Sequence, residues 1–555
     1  MKNYISQVVL ILSFITLTSC DRDLEQINTN PNQPSTVTTS GLFNNTNKTL
    51  MTKTRGGFPS GRMALPWIQY SAQRNYTAED RYQFRVEVNN TLYSALFLAV
   101  KGYKEIIDLV EDPANATKIV TYGDPVNQLA AARIMIAYTQ LQLVDAYGDV
   151  PYFSYGAKDP DFQAMTLGTK NEITTPKFAP QDKIYTDLMK ELKEAAESIN
   201  TNTGTVFTSG DFLFKTPEKL KRFANSLRLR IANRVKKVIP VANQHIAELT
   251  AHVDDLMQSN ADNVGQQFQN DRVNPAPFYN DAIIGKRNDF SPTNTFVELL
   301  KGESQIGHAN PFAGNIDPRL YKMVAPISQL EKNEAGDEVE VTLAFFYNAS
   351  KNSPSIERGD YIDRTAEHYR GMPLGIEDAY TGSQAGYASQ FSALIYKADY
   401  TEMLMEYSEV AFILAELDIN PQENYKNGIK ASMEKWKVEA RDIEAYLTKV
   451  NTVNQETILT QKYIALYLQP YEAWADYRRT KFPKTVLLPG QTHQLIAPGP
   501  QKQTEYTFTP LNGLNDLPER ITYPSDLNLI NKSNKEEASA RMGGDLMNTK
   551  LIWAN

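Results

Sequence analysis

Apolar residues recur at three- and four-residue steps through seven long segments of this chain, and that period restricts it to packed helices. Between Arg85 and Val110, residues Leu92, Leu96, Ala99, Tyr103, Ile106 and Ile107 share one helical face. Asp124-Pro125 opens a second run through Leu129, Ile136, Tyr138, Leu141 and Val144, which Gly148 ends. Ile184, Leu188, Leu192, Ala195, Ala196 and Ile199 stripe a third, from Gln181 to Ile199. A fourth starts at Thr216-Pro217, with proline at the first helical position, and carries Phe223, Leu227, Leu229, Ile231 and Val235. The others read as Tyr400 to Leu417, Tyr425 to Ala440 and Thr457 to Tyr477.

Paired helices with no strands between them form hairpins of the tetratricopeptide type. The ~34-residue tetratricopeptide period is not kept, so the repeats are degenerate and separated by insertions. The fold class predicted is mainly α: a degenerate tetratricopeptide-like helix-pair superhelix with large irregular loops and little β. One domain is expected over 42–555, with helix pairs at about 80–240 and 400–480 and loop-rich regions at about 260–399 and 483–555. Turn signals such as Asn274-Pro275 and Gly371-Met372-Pro373 fill the first of these, and loop-rich regions so large are usually functional. Val339, Val341, Leu343 and Phe345 alternate, predicting a short hairpin at Glu338 to Tyr347.

The amino terminus has the layout of a secretory signal. Lys2 precedes a stretch from Ile5 to Leu17 broken only by Ser6, Gln7, Ser13 and Thr16, too short to span a ~30 Å hydrocarbon core. Leu17-Thr18-Ser19-Cys20 resembles a bacterial lipobox, in which the chain is cut before a cysteine that is then acylated. The chain's one cysteine stands at the position such processing requires. The reading is therefore a signal peptide at 1–19, then a lipidated Cys20 with a flexible tether to 41, rich in Asn, Pro, Ser and Thr. A diacylglyceryl-cysteine that is also N-acylated meets the need for two lipid signals, so the membrane is met through this anchor only. No thiol is then left for a disulfide, thiolate catalysis or a zinc site.

A formal net charge of −8, spread along the chain, argues against a nucleic-acid partner. Of five histidines only His245 and His252 lie close in sequence, and seven residues of helix separate them by about 10 Å, so no metal site is expected. Nor does any motif call for a cofactor. The acid pairs Asp254-Asp255, Glu377-Asp378 and Glu536-Glu537 are adjacent residues that point apart, unlike the converging carboxylates of a glycosidase. Phosphate-loop and nucleophile-elbow signatures are missing, so catalysis is not expected.

Several blocks resemble one family. Asn28-Thr29-Asn30-Pro31-Asn32, the Tyr147-Gly148-Asp149-Val150-Pro151-Tyr152 turn, Phe223 to Arg230 and Asp317-Pro318-Arg319-Leu320 are similar to the SusD/RagB nutrient-binding lipoproteins. Glu406 to Glu416, Glu472 to Thr480, Pro518-Glu519-Arg520, Gly543-Gly544-Asp545 and Lys550 to Trp553 are similar as well, in family order. The resemblance is to the branch with an Asn-Thr-Asn-Pro-Asn tether. It implies four tetratricopeptide-like helix pairs with loops laid over one side, on a lipoprotein facing the cell exterior. It also implies a SusC-like TonB-dependent outer-membrane barrel as partner, and a glycan or oligopeptide as nutrient. A surface lipoprotein enzyme (glycosidase-like) or an adhesin on the same scaffold is the alternative.

Sugars pack flat C–H faces on aromatic rings and have their hydroxyls read by Asn, Asp, Gln and Arg. Three segments offer such mixtures. The first holds Trp67, Tyr70, Gln73, Arg74 and Tyr76, in the early loop region where the resemblance implies that family members often place ligand contacts. Trp67 and Tyr70 would share a face if helical; they would equally serve as one face of an entry helix packed on the scaffold. The second segment holds Tyr279, Arg287 and Asp289, and the third Tyr380 and Tyr387 in a Gly-lined loop.

Overall fold

The computed structural model describes residues 37–332, 335–342 and 364–554. Its helices, in chain order, are α1 (Thr39–Arg55), α2 (Val86–Glu111), α3 (Pro125–Tyr147), α4 (Gln181–Ser198), α5 (Pro217–Val235), α6 (Val241–Ala251), α7 (Asn294–Lys301), α8 (Tyr407–Glu416), α9 (Pro421–Lys435), α10 (Ala440–Lys449), α11 (Gln455–Ala465), α12 (Pro470–Thr480) and α13 (Lys532–Arg541), besides shorter turns. From α1 to α6 each helix packs on its predecessor, and α8, α9 and α11 form a second packed group joined to the first through α5 and α8. The protein is mainly α.

Local chemistry sets the helix ends. Asp124 caps α3 by accepting from Val126 N at 2.8 Å, with Pro125 supplying φ at the first position. Gly148 ends the helix at φ +81°, where a side chain would meet the Met542 sulfur at 2.4 Å. Thr38 caps α1 through Gly41 N, so the helix starts three residues before the Leu42 at which folded structure is expected. Cys20, expected to be acylated, and most of the expected tether lie outside the described residues.

Two periodic stretches resolve differently from their sequence reading. Tyr400 to Leu417 is a strand followed by α8, because Thr401–Met405 pairs antiparallel with Val264–Gln267. Thr457 to Tyr477 is two helices, α11 and α12. Pro470 has no N–H to donate and forces the preceding residue out of helical geometry, and Leu468 turns at φ +68°.

The strands are short and pair two by two, all antiparallel: β1 (Ser71–Gln73) with β3 (Phe290–Pro292), β2 (Val264–Gln267) with β8 (Thr401–Met405), β4 (Val324–Ala325) with β7 (Gln390–Phe391), β5 (Ser328–Lys332) with β6 (Glu338–Thr342), and β9 (Thr492–Gln494) with β10 (Glu505–Thr507). The alternating run that starts at Glu338 therefore pairs with the strand before it. Residues 343–347 of the expected hairpin lie outside the described residues.

One apolar core runs through the molecule, and the stripe residues Leu188, Leu192 and Ile413 are fully buried in it. Buried ion pairs stitch the helix groups together. Arg230 Nε donates to Glu409 at 2.6 Å, Arg234 binds Asp145 and Glu472, and Arg479 binds Glu416 and Asp476. Their opposing charges hold the Glu416, Glu472 and Asp476 carboxyls below the usual range despite burial. The last part of the chain is fastened to this frame by Trp474 Nε1, which donates to Pro518 O at 2.6 Å, and by Arg478, which donates to Glu519 O and Asp145 O.

Candidate ligand-binding loop surface

The first predicted segment splits between core and surface. A π-helical turn at Ser60–Ala64 and a short helix at Leu65–Trp67 drive the chain inward, against α12. Trp67 is 1% exposed, with its ring edge-on to Trp474 at 5.2 Å. Tyr70 is fully buried, stacks on Tyr463 at 4.7 Å and donates to the Tyr463 carbonyl; burial pushes its phenol well up. Gln73 is buried as well, donating from Nε2 to Glu79 at 3.0 Å and from its backbone N to Asp80 at 2.7 Å. Trp67, Tyr70 and Gln73 are thus scaffold residues, which corrects the expectation of an aromatic wall there. Their side chains fill the space between the helices and have no face left for a ligand.

From β1 onward the chain emerges. Arg74 donates through Nη1 to Ser291 Oγ at 3.1 Å, and its backbone N to Asp289 O at 2.7 Å; burial brings its guanidinium down to about 10. Tyr76 follows at φ +62°, with 59% of its surface exposed. That corner is held from the far side. Thr77 N donates to Asp378 at 2.6 Å, and Thr77 Oγ1 donates to Ile376 O and to Asp378.

The same contacts recruit the other two segments. β1 pairs with β3, so the loop of Arg287 and Asp289 lies against Arg74. Arg287 and Asp289 form an ion pair at 2.7 Å, with the Arg287 side chain 56% exposed. Asn288 accepts from Tyr396 OH at 2.8 Å and donates to Gln390, at the start of β7. Tyr279 is part-buried on a turn whose Asp281 accepts from Gly57 N at 2.9 Å, and burial pushes the Asp281 carboxyl up. Tyr380 lies on the short helix Asp378–Gln384, its ring against the Gly499 backbone. Gln384 anchors that helix by donating to Ala497 O at 2.8 Å and accepting from Ile496 N at 3.0 Å, and the exposed Tyr387 follows.

Three segments far apart in the sequence therefore meet on one loop surface. It presents Tyr76 and Tyr387, the part-buried Tyr380, and the Arg287–Asp289 pair with Asn288 between them. Among the described residues no group of three His, Cys, Asp or Glu side chains could hold a metal ion, and no helix is long and apolar enough to cross a membrane.

Two family models match the chain. One, SusD-like and described as starch-binding associating with outer membrane, matches residues 31–498; the other, described as Susd and RagB outer membrane lipoprotein, matches 448–554. The chain belongs to the SusD/RagB family. Among solved structures it is similar to a chitin-binding protein at 20% identity, covering 93% of this chain and 99% of the other with a TM-score of 0.67. It is similar also to a SusD-like protein from Bacteroidetes AC2a (22% identity, 94% and 100% covered, TM-score 0.67) and to a chitin-binding SusD homolog from Flavobacterium johnsoniae (19%, 93% and 98%, 0.65). A search of curated protein sequences returns no match. At these identities the likeness shows the SusD-like fold.

In this SusD/RagB chain the clamps were not legible in the sequence. Asp378 read only as half of an adjacent acid pair, yet it accepts from Thr77 at the Tyr76 corner; Gln390 and Tyr396, which hold Asn288, gave no signal beyond their residue types.

Proposed function

We propose that this protein is a surface-exposed outer-membrane lipoprotein that captures a glycan on the Tyr76–Arg287–Tyr387 loop surface and passes it to a TonB-dependent barrel. The convergence of three loops on one aromatic and polar surface carries the reading. Exposed tyrosines offer rings for sugar C–H faces, and Asn288, Arg287 and Asp289 offer donors and acceptors for hydroxyls beside them. The segments are clamped through Asp378, Gln384 and Gln390, so a ligand would meet a pre-formed surface and lose little affinity to loop ordering. Membership of an outer-membrane lipoprotein family and the Leu17-Thr18-Ser19-Cys20 box support the anchoring. The fold likeness to two chitin-binding proteins favours a glycan over an oligopeptide. The role asks for binding and release, with no bond broken.

Calorimetry on the chain from residue 21 onward, against neutral oligosaccharides including chitin and starch fragments and against oligopeptides of matched length, tests the reading. Saturable binding of at least one glycan series is expected. Binding of peptides alone would contradict it.

A further inference from the structure

A second cleft, about 470 Å³ in volume, opens between β2, β8, the turn after α9 and the start of α5, and none of the loop-surface residues lines it. Five lysines do: Lys215, Lys219, Lys397, Lys435 and Lys437, against Asp399 as its one acidic lining residue. In a chain of net charge −8 this is an inversion of sign. Lys435 is engaged, pairing with Glu406 at 3.2 Å and lying 4.3 Å over the Trp436 ring. The other four make no ion pair among the described residues. Burial, and then the neighbouring Lys215, hold the Lys219 ammonium below its ordinary range against the opposite pull of Asp262 and Asp211.

The surrounding groups are those of a ligand site. Phe212 is exposed at the rim and Tyr400 is part-buried, while Gln267 and Thr401 add an amide and a hydroxyl. Trp436, also in the lining, keeps a buried indole N–H with no partner. Lys215 and Lys437 both sit at positive φ, +65° and +58°, held there by Lys215 N donating to Asp211 and Lys437 N donating to Glu434 O, each at 2.9 Å. Strained non-glycine residues persist where the surroundings over-determine them, and here two border one cleft.

We propose that this cleft binds an acidic oligosaccharide, with carboxylate or sulfate groups on the lysines and ring faces on Phe212 and Tyr400. Lysine is a compact point charge that accepts either anion without the planar fork of arginine, and aromatic rims with hydroxyl-reading groups suit pyranose rings better than an extended acidic peptide. The cleft falls within the ~300–1,000 Å³ of small-ligand sites. The proposal is independent of the loop surface.

The test is calorimetry of the chain from residue 21 with trigalacturonate and a chondroitin sulfate hexasaccharide, at low and at physiological salt. At least one should bind, with affinity falling as salt rises. Lys215→Gln with Lys397→Gln, both exposed positions, should weaken it at least tenfold. Lys426→Gln with Lys449→Gln, exposed lysines away from the cleft, should leave it unchanged. The proposal is overturned if neither acidic sugar binds, if the cleft variant binds as the parent does, or if inorganic sulfate or hexaglutamate binds as tightly as the sugars. Neutral chitotriose titrated in parallel reads the loop surface separately, so failure of one site is not mistaken for failure of the other.

Discussion

Glu402 is almost fully buried on β8, and burial outweighs the attraction of Arg55 and Lys435 to push its carboxyl up to about 7. The folded chain therefore keeps a proton there that the unfolded chain releases in the ordinary carboxylate range. Stability from this group is present at low pH and is lost as pH rises through about 7. Glu402→Gln removes the titration, so relative to the parent it should gain up to about 3 kcal/mol between pH 5 and pH 8, at ~1.4 kcal/mol per pKa unit. Urea unfolding of both proteins at the two pH values reads this difference; a difference that does not change with pH would contradict it. Residue type alone did not separate core from site at this scale. Tyr70 and Tyr76 are the same side chain six positions apart, one enclosed and one mostly exposed. The positive φ at Gln69 and again at Tyr76 turns the chain in and out, and both turns are fixed by partners far away in sequence, Leu487 for Gln69 and Asp378 for the Tyr76 corner.

At the scale of elements, the helical period was legible wherever a single face packs on a neighbour. Leu192 sits at zero exposure on α4, so Leu192→Ala should cost roughly 2–5 kcal/mol in chemical denaturation; a loss under about 0.5 kcal/mol would place that stripe in solvent. The Arg230–Glu409 pair joins α5 to α8, and Glu409→Gln leaves a buried guanidinium short of its counter-charge, for an expected loss of about 3–5 kcal/mol. Tyr400, Met403, Leu404 and Tyr407 mimic helical spacing, yet the first three belong to an extended stretch because β2 lies alongside with Gly265 at the close approach. A strand whose partner lies more than a hundred residues away leaves no local period to find. The break at Pro470, by contrast, was written in the sequence as a residue that cannot continue a helix from its N-terminal side.

For the whole molecule, fold class and family were readable because ordered blocks such as Phe223 to Arg230 and Glu472 to Thr480 build the buried frame itself. The proposed ligand surface was readable only in part. Its three segments could be named one by one, but their meeting depends on β1 pairing with β3 and on Thr77 reaching Asp378. Anchoring is tested by Cys20→Ala, which should move the protein from membrane to soluble fractions; unchanged fractionation would remove the lipid from the account. The central claim is that the loop surface takes the nutrient, and titrating Tyr76→Ala with Tyr387→Ala against a glycan that binds the parent tests it most directly. Both side chains are more than half exposed, so the melting temperature should hold while affinity falls at least tenfold, about 1.4 kcal/mol. Parent-like affinity in a variant of parent-like stability would contradict the claim.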